Sequence, residues 1–388
     1  MLLVEPFFTG SHAEWAKGYS AESSHAVTLE TMPGRFWKWR MHGAAITMAK
    51  RMHRLRLEVQ VPDIFLATDM LDVAAWRGLL PSAMRAIPVV TYFHENQFAY
   101  PEPSPQSDWS ASRRRRANRP DAHYGFTNIT TGLASDAVWF NSAFNRSAFF
   151  QGAQGLLRSM PDCREASTLK AVRDKSHVVP LGMQLRDLSR VDPAPKSDVP
   201  RIVWNHRWEH DKDPGSFVDL LERLAESGVA FDVVVLGESA EQAPPHLERL
   251  VTGLPDRIAH VGYAPSRREY AAWLRSGDVV ISTAQQEFFG SAVVEAIACG
   301  CRPILPDRLA YPELFPANLR DRVLYQSEDD LFNRTRLALE TADELLTAAL
   351  AEHVMRFDWS VQAPHYDSAL LALARSHGPR RATGGLML

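Results

Sequence analysis

The sequence predicts an α/β protein made of two doubly wound parallel sheets that face each other across a cleft. Three observations carry this reading. The 388 residues exceed one ordinary core and suit two. Short, nearly continuous apolar runs alternate with helical patterns along the whole chain, as strands covered by helices on both faces do. Near the middle the stretch VDPAPKSDVP, ending at Pro200, is rich in Pro and Asp and has no periodicity, which marks a join.

In the first half, strands are expected at 1–5, 25–29, 63–67, 87–93, 136–140 and 176–179. Helices fall between them, notably Trp15–Ser20, Trp39–Arg54 and Asn128–Ala134. In the second half the strands are expected at Arg201–Asn205, Phe231–Leu236, Ile258–Val261, Asp278–Ser282, Arg302–Leu305 and Val323–Tyr325, with helices at 215–227, 266–276 and 291–299. The expected division is a Rossmann-like domain over 1–186, a linker over 187–200 and a second Rossmann-like domain over 201–355. A helix at 356–376 should pack back on the first domain, and 377–388 is a frayed tail. Ligands in such folds sit at the carboxyl ends of strands, so chemistry is sought in the loops that follow them.

Composition bounds the function. With 45% hydrophobic and 23% charged residues and a net charge of −3, the chain is that of a soluble globular protein. It has no run of about 18 apolar residues, so no membrane span or stable membrane association is expected. The opening MLLVEPFF carries Glu5 and no basic region, which suits a first strand and not a signal peptide. Three cysteines give neither a disulfide framework nor a metal quartet; Cys299 and Cys301 suit small apolar positions beside a sheet. The expected compartment is the reducing cytoplasm. Residues 1–200 carry 24 Lys/Arg against 19 Asp/Glu, and residues 201–388 carry 19 against 27. A basic first half points to a polyanionic partner for that half.

Four segments carry candidate chemistry. Glu287-Phe-Phe-Gly-Ser-Ala-Val-Val-Glu295 follows a buried strand and enters a helix. Gly290 allows close backbone approach, and the N–H groups of Phe289, Gly290 and Ser291 can meet an anion there. Glu295, two turns on from Glu287, can accept both hydroxyls of a ribose, while Glu287 faces a sugar ring. In Trp204-Asn-His-Arg-Trp-Glu-His-Asp-Lys-Asp-Pro214, Arg207 as a fork and Lys212 as a point charge suit a diphosphate that gains charge as a glycosidic bond breaks. Asp211 and Asp213 form an Asp-x-Asp, the metal-nucleotide signature of another architecture. With Pro214 next, they are read here as helix N-terminal residues. After the first strand, Thr9-Gly10-Ser11-His12 is a short approach turn for phosphate or sugar. At the end of another buried strand come His94, Glu95, Asn96 and Gln97, and His123, Tyr124 and Asn128 add groups suited to hydroxyl-rich ligands. A packed core histidine is the competing reading of His94, and Asn141 fits either a helix cap or a cleft wall.

Together these motifs resemble the retaining GT-B glycosyltransferases of family 4: the Glu-x7-Glu pair, the Arg and Lys after the first strand of the second domain, and His-Val-Gly262-Tyr263 before a helix all match. More closely, FTGSH, TYFHENQ, HYGFTN, FNSAFN and NHRWEHDKDP resemble the glycosyltransferase-like family that includes the tRNA-queuosine α-mannosyltransferase, over about residues 1–360. The resemblance implies that Arg207 and Lys212 bind the donor diphosphate and Glu295 the ribose. Glu287 with the Phe288–Phe289–Gly290–Ser291 turn, Gly262 and Tyr263 hold the rest of the donor. His94 faces the reacting centre, and Gly10, Ser11 and His12 line the opposite wall. It implies transfer from GDP-mannose to the cyclopentenediol of queuosine in a tRNA anticodon, with no metal and no cofactor beyond the nucleotide sugar. His94, Glu287, Arg207 and Lys212 are then the catalytic set, and Glu95, Asn96, Gln97, His123, Tyr124 and Asn128 face the acceptor. No carboxylate is expected on the acceptor wall to act as a covalent nucleophile.

The Pro/Ser-rich, basic segment 101–122 holds Arg113, Arg114, Arg115 and Arg116. It fits a phosphate-contacting loop and a solvated loop equally. Two rival functions remain. One is a family 4-type enzyme with a lipid, polysaccharide or small-metabolite acceptor, for which Trp37-Lys-Trp-Arg40 with Lys50, Arg51, Arg54 and Arg56 is a candidate basic amphipathic helix. The other is a catalytically silent nucleotide-binding module.

Overall fold

The computed structural model describes residues 1–54, 61–99, 122–237 and 245–377. One sheet orders its strands β2-β1-β3-β4-β5-β6, with β1 Leu2–Phe8, β2 Thr28–Pro33, β3 Phe65–Thr68, β4 Val89–Phe93, β5 Ala137–Phe140 and β6 Ser176–Val178. The other orders β12-β11-β10-β7-β8-β9, with β7 Arg201–Trp204, β8 Asp232–Val235, β9 Ile258–Val261, β10 Val279–Ile281, β11 Arg302–Pro306 and β12 Leu324–Tyr325. Neighbouring strands pair in parallel, for example Phe65 opposite Val89 and Ile202 opposite Val233. The central strands β3, β4, β7 and β8 are buried at every position. Burial on both faces is why they appear in sequence as short, largely apolar runs, with Arg201 and Asp232 at the bases of β7 and β8.

In each sheet the strand order reverses once, between β1 and β3 and between β7 and β10. The chain leaves neighbouring strands in opposite directions at those points and opens a crevice at their carboxyl ends. Local sequence sets how helices start there. Ser142 accepts from Asn145 N at 2.9 Å at the head of the Ala143–Arg158 helix. Asp213 accepts from Ser216 N at 3.2 Å, with Pro214 at the first position of the Pro214–Glu226 helix. Asp213 is thus the helix cap that the sequence implied.

The segment leading into β7 lies against the second sheet. Ala194 N donates to Ala272 O at 2.8 Å, and Lys196 pairs with Asp278 at 2.6 Å. Arg201, buried at the base of β7, donates to both oxygens of Asp232 (2.7 and 2.8 Å), to Ser276 Oγ and to Pro195 O. A buried guanidinium with every face engaged holds that join in one geometry.

The Trp359–Ser376 helix returns to the first sheet and packs on the Gly10–Glu22 helix. Asp367 accepts from Tyr19 Oη at 2.7 Å, Ser23 Oγ at 2.6 Å, and the Ser24 N and Oγ at 2.7 Å each. These four donors hold its carboxyl below the usual range, although its partial burial pulls the other way. Trp359 is buried between Gly18 and Gly182, where a Cβ on either glycine would overlap its ring. Gly182→Ala is therefore expected to lower stability by about 2–3 kcal/mol, read as a drop in melting temperature with an unchanged far-UV spectrum.

Candidate active site

A cleft of about 1700 Å³ lies between the carboxyl ends of the two sheets and is lined by residues of both. On the first wall, β1 runs into Thr9–Gly10–Ser11–His12. Gly10 sits at φ +49° with open space where a Cβ would stand, and Gly10, Ser11 and His12 all line the cleft. Glu5 is fully buried in the middle of β1, and its Oε2 lies 2.9 Å from His12 Nδ1. Burial opposes charge on His12, but Glu5, with Asp69 and Glu95 beyond it, raises its pKa to about 9.

Beside it, β4 delivers His94. Its N–H donates to Asp69 Oδ1 at 2.8 Å, and its carbonyl accepts from Asn141 Nδ2 at 2.7 Å. The ring stands 4.2 Å from that of His12 and 4.7 Å from that of Trp15. Burial, reinforced by the His12 charge, holds His94 well below its ordinary pKa, so it is a neutral imidazole. Its Nε2 has no hydrogen-bond partner among the described residues. Asn141 thus lines the cleft and supports His94, while Ser142 is the helix cap.

On the second wall, β7 leads to Asn205, His206 and Arg207, and a short turn over His210–Lys212 follows. Lys212 is 8% exposed. Its Nζ donates to Gln286 O at 2.7 Å and stands 3.2 Å from Asp211 Oδ2 and 3.4 Å from Glu287 Oε2. Burial favours the neutral form of Glu287, but Lys212 and the backbone N–H groups of Phe289 and Gly290 hold its pKa below the usual range. Burial, and then Lys212, lower His206 to about 4. Arg207 lines the same cleft, more than half exposed, 3.3 Å from Glu209. Gly290 heads the Ser291–Ala298 helix at φ +92°, where a Cβ would also stand 3.0 Å from the Tyr311 ring. Glu295 accepts from Tyr270 Oη at 2.7 Å and pairs with Arg267, while Asn205 Nδ2 donates to the same Tyr270 oxygen at 2.9 Å.

The cleft brings together His94, Glu287, Arg207 and Lys212. It also gathers Gly10, Ser11, His12, Tyr263, Phe288, Phe289, Ser291, Glu295, Glu95, Gln97, His123 and Tyr124. Two acceptor residues expected from sequence are corrected. Asn96 is fully buried and bonded to the Asn145 carbonyl and side chain, while its Oδ1 accepts from Phe98 N. Asn128, also fully buried, accepts from Gln97 N at 3.0 Å. Both fold the loop after β4 and do not line the cleft. Gly262, at φ +133°, shapes the turn that presents Tyr263 and is not itself part of the lining. Glu95, the carboxylate among the residues expected to face the acceptor, lines the first wall. Arg113, Arg114, Arg115 and Arg116 lie outside the described residues.

Sequence reasoning missed Asn205, His206, Asp211, Gln286, Arg267 and Tyr270, all of which line the cleft. Five buried polar atoms of lining residues lack a partner among the described residues: His94 Nε2, Asn205 Oδ1, His206 Nε2, Asp211 Oδ1 and Gln286 Nε2. Nine further such atoms of the described residues lie away from the lining, but these five sit where a ligand rich in hydroxyl and phosphate oxygens would pair them. Glu5, His12 and His94 place one ligand-type atom each within 4.8 Å of one another. The His12–Glu5 hydrogen bond needs a proton where a shared ion would sit, which favours an ion pair at that spot.

These histidines give the fold a pH signature. His12 binds its proton more tightly folded than unfolded, so its contribution is complete below about pH 6.5 and is lost as pH rises through about 9. His206 is the reverse, and its contribution is lost as pH falls from about 6.5 through about 4. Each limb should span about 3 kcal/mol in denaturant titrations, and His12→Gln should flatten only the alkaline one.

Comparison with known proteins agrees with this geometry. Residues 1–183 match the family described as tRNA-queuosine alpha-mannosyltransferase N-terminal, and residues 186–348 match Glycosyl transferases group 1. Over 328 residues the chain is 34% identical to the tRNA-queuosine alpha-mannosyltransferase of Drosophila melanogaster, covering 81% of each chain. The chain belongs to the tRNA-queuosine alpha-mannosyltransferase family. It is a glycosyltransferase of the hexosyl-transferring class. A shorter likeness, 33% identity over 117 residues and 30% of each chain, links it to the GDP-mannose-dependent alpha-(1-6)-phosphatidylinositol dimannoside mannosyltransferase of Mycobacterium tuberculosis. Among solved structures, the sucrose-phosphate synthase of Thermosynechococcus elongatus superposes with a TM-score of 0.70 at 14% identity, covering 97% of this chain and 99% of that one. The trehalose-6-phosphate synthase OtsA superposes at 0.62 and 12% identity, covering 98% and 100%. The fold is GT-B, two Rossmann-like sheets about a cleft. No helix among the described residues is long and apolar enough to cross a membrane.

Proposed function

We propose that the chain transfers mannose from GDP-mannose to the cyclopentenediol of queuosine in a tRNA anticodon, in the cytoplasm, with retention and without a metal ion. One observation carries the reading: the likeness to the Drosophila enzyme runs through both domains, 81% of each chain, and not through the donor domain alone. In this proposal residues 1–186 serve the acceptor, 201–355 the donor, and 187–200 joins them.

Arg207 and Lys212 face the donor diphosphate. Glu295, presented by Tyr270 and Arg267, takes the ribose, while Glu287 and the Phe288–Ser291 turn take the hexose. As the bond from C1 to the phosphate oxygen breaks, its electron pair passes to a diphosphate that these cations stabilise more than in the ground state. The acceptor hydroxyl attacks C1 from the same face, and its proton passes to the departing phosphate oxygen. His94, neutral with an unpartnered Nε2, is suited to one hydrogen bond with a sugar hydroxyl. Glu14 and Glu95 are the carboxylates that the first wall gives to the cleft lining, so turnover near wild type in both Glu14→Gln and Glu95→Gln supports front-face attack over a covalent route.

The test supplies labelled GDP-mannose, UDP-glucose or GDP-glucose with tRNA that carries either queuosine or guanine at the same position, with and without a chelator. Label should enter only the queuosine tRNA, only from GDP-mannose, and regardless of chelator. Equal labelling of the guanine tRNA would end the acceptor reading.

A further inference from the structure

The stretch Arg35-Phe-Trp-Lys-Trp-Arg40, which opens the Trp37–Arg54 helix, is not used by the donor site. Residues 31–54 hold six Lys/Arg and no Asp or Glu. Phe36 is 76% exposed and Trp39 62% exposed, and Arg35, Trp37 and Lys38 are exposed as well. Arg51 pairs with Glu30 at 2.6 Å, and the exposed large rings beside Arg35, Lys38 and Arg40 are not needed by the core. The helix already buries Ala44, Ala45, Met48, Ala49 and Met52 against the first sheet, and Met41 against Met70 and Tyr124.

The geometry holds these rings outward. Phe36 adopts φ +54°, a left-handed conformation unusual for a bulky residue, and its carbonyl accepts from the Trp39 and Arg40 N–H groups at 2.8 and 3.0 Å. The Trp39 ring lies on Gly43, where a Cβ would stand 2.7 Å from it, so one face of the indole is backed by the helix. The patch is continuous with the cleft. Trp37 and Lys38 line it, and a chain of rings runs inward, Trp37 to Tyr124 at 5.4 Å, Tyr124 to His42 at 5.0 Å and His42 to His123 at 4.5 Å.

We infer that the Arg35–Arg40 patch is a stacking platform for unpaired bases of the acceptor RNA next to the base that enters the cleft. Flat rings interleaved with cations suit single-stranded RNA, because every base has a face to stack and every phosphate a charge to neutralise. A lipid surface fits less well, because all the aliphatic side chains of this helix except Ile46 face the core. The inference rests on the tRNA reading above, and its test separates the two.

Phe36→Ala with Trp39→Ala should raise the KM for queuosine-containing tRNA by about tenfold or more, with kcat at saturating tRNA and the KM for GDP-mannose unchanged. Unchanged donor kinetics show that the variant is folded. Gly43→Ala, which displaces the Trp39 ring without removing it, should move the tRNA KM in the same direction. A tRNA KM within twofold of wild type in the double variant overturns the inference. So does loss of flotation with phosphatidylglycerol vesicles at unchanged tRNA KM, which would assign the patch to a membrane. If wild type transfers nothing to tRNA, the acceptor reading fails instead. Equal binding of a single-stranded RNA oligonucleotide by wild type and double variant would then overturn the platform on its own.

Discussion

Lys212→Ala is expected to lower kcat by about 10³-fold at saturating donor, a larger loss than any other single change in the cleft. Lys212 is nearly buried, in contact with the Gln286 carbonyl and close to the Asp211 and Glu287 carboxylates, so its charge meets little water. In that setting a cation aimed at a departing diphosphate stabilises the transition state far more than it would in solution. The same substitution strips buried Asp211 and partly buried Glu287 of their counter-charge, so the melting temperature should fall as well. Lys212→Arg separates the two effects: it keeps the charge, should recover most of the stability, and should recover kcat only in part because the fork does not fit a point-charge site. Arg207→Ala, at an exposed position, should lower kcat with little change in melting temperature. Turnover of Lys212→Ala within tenfold of wild type would remove it from the chemistry, and near-wild-type turnover of Arg207→Ala at saturating donor would remove that residue.

The second large effect is expected at His94. His94→Ala should reduce kcat by about 10²-fold while the KM for GDP-mannose changes little, because the proposed donor residues are on the other wall. The imidazole is neutral because it is buried beside the charged His12. Its rate contribution should therefore show no pH dependence near neutrality, and a kcat profile flat from about pH 6 to 8 is the accompanying expectation. His94→Gln, which retains a hydrogen-bonding side chain, should be the milder variant. A large rise in donor KM at unchanged kcat would instead make His94 a binding group.

The strands were legible because buried parallel strands announce themselves as short, mostly apolar runs, as VVTYF and the IVW that follows Arg201 do. Helix starts were less so: the first helix begins at Gly10, not at Trp15, because its opening turn faces the cleft and carries no apolar repeat. The Glu-x7-Glu pair was legible as local sequence, but its support was not. Tyr270 and Arg267 reach Glu295 from another helix, and only their i, i+3 spacing after Ser266 hinted at a shared face. Glu5 was a missed signal: a carboxylate inside a buried strand requires a partner, and His12 supplies it. Asn96 and Asn128 misled for the opposite reason. Asn96 at a strand end and Asn128 inside the Ala122–Ala134 helix serve the loop after β4 instead of a ligand, and sequence alone does not distinguish the two uses.

The most direct test of the whole account is mass spectrometry of the nucleosides released from queuosine-containing tRNA after incubation with the protein and GDP-mannose. The account predicts a queuosine nucleoside heavier by one hexose, with fragments that place the sugar on the cyclopentenediol and a linkage cleaved by α-mannosidase but not by β-mannosidase. Unmodified queuosine, or a hexose in β linkage, would contradict it.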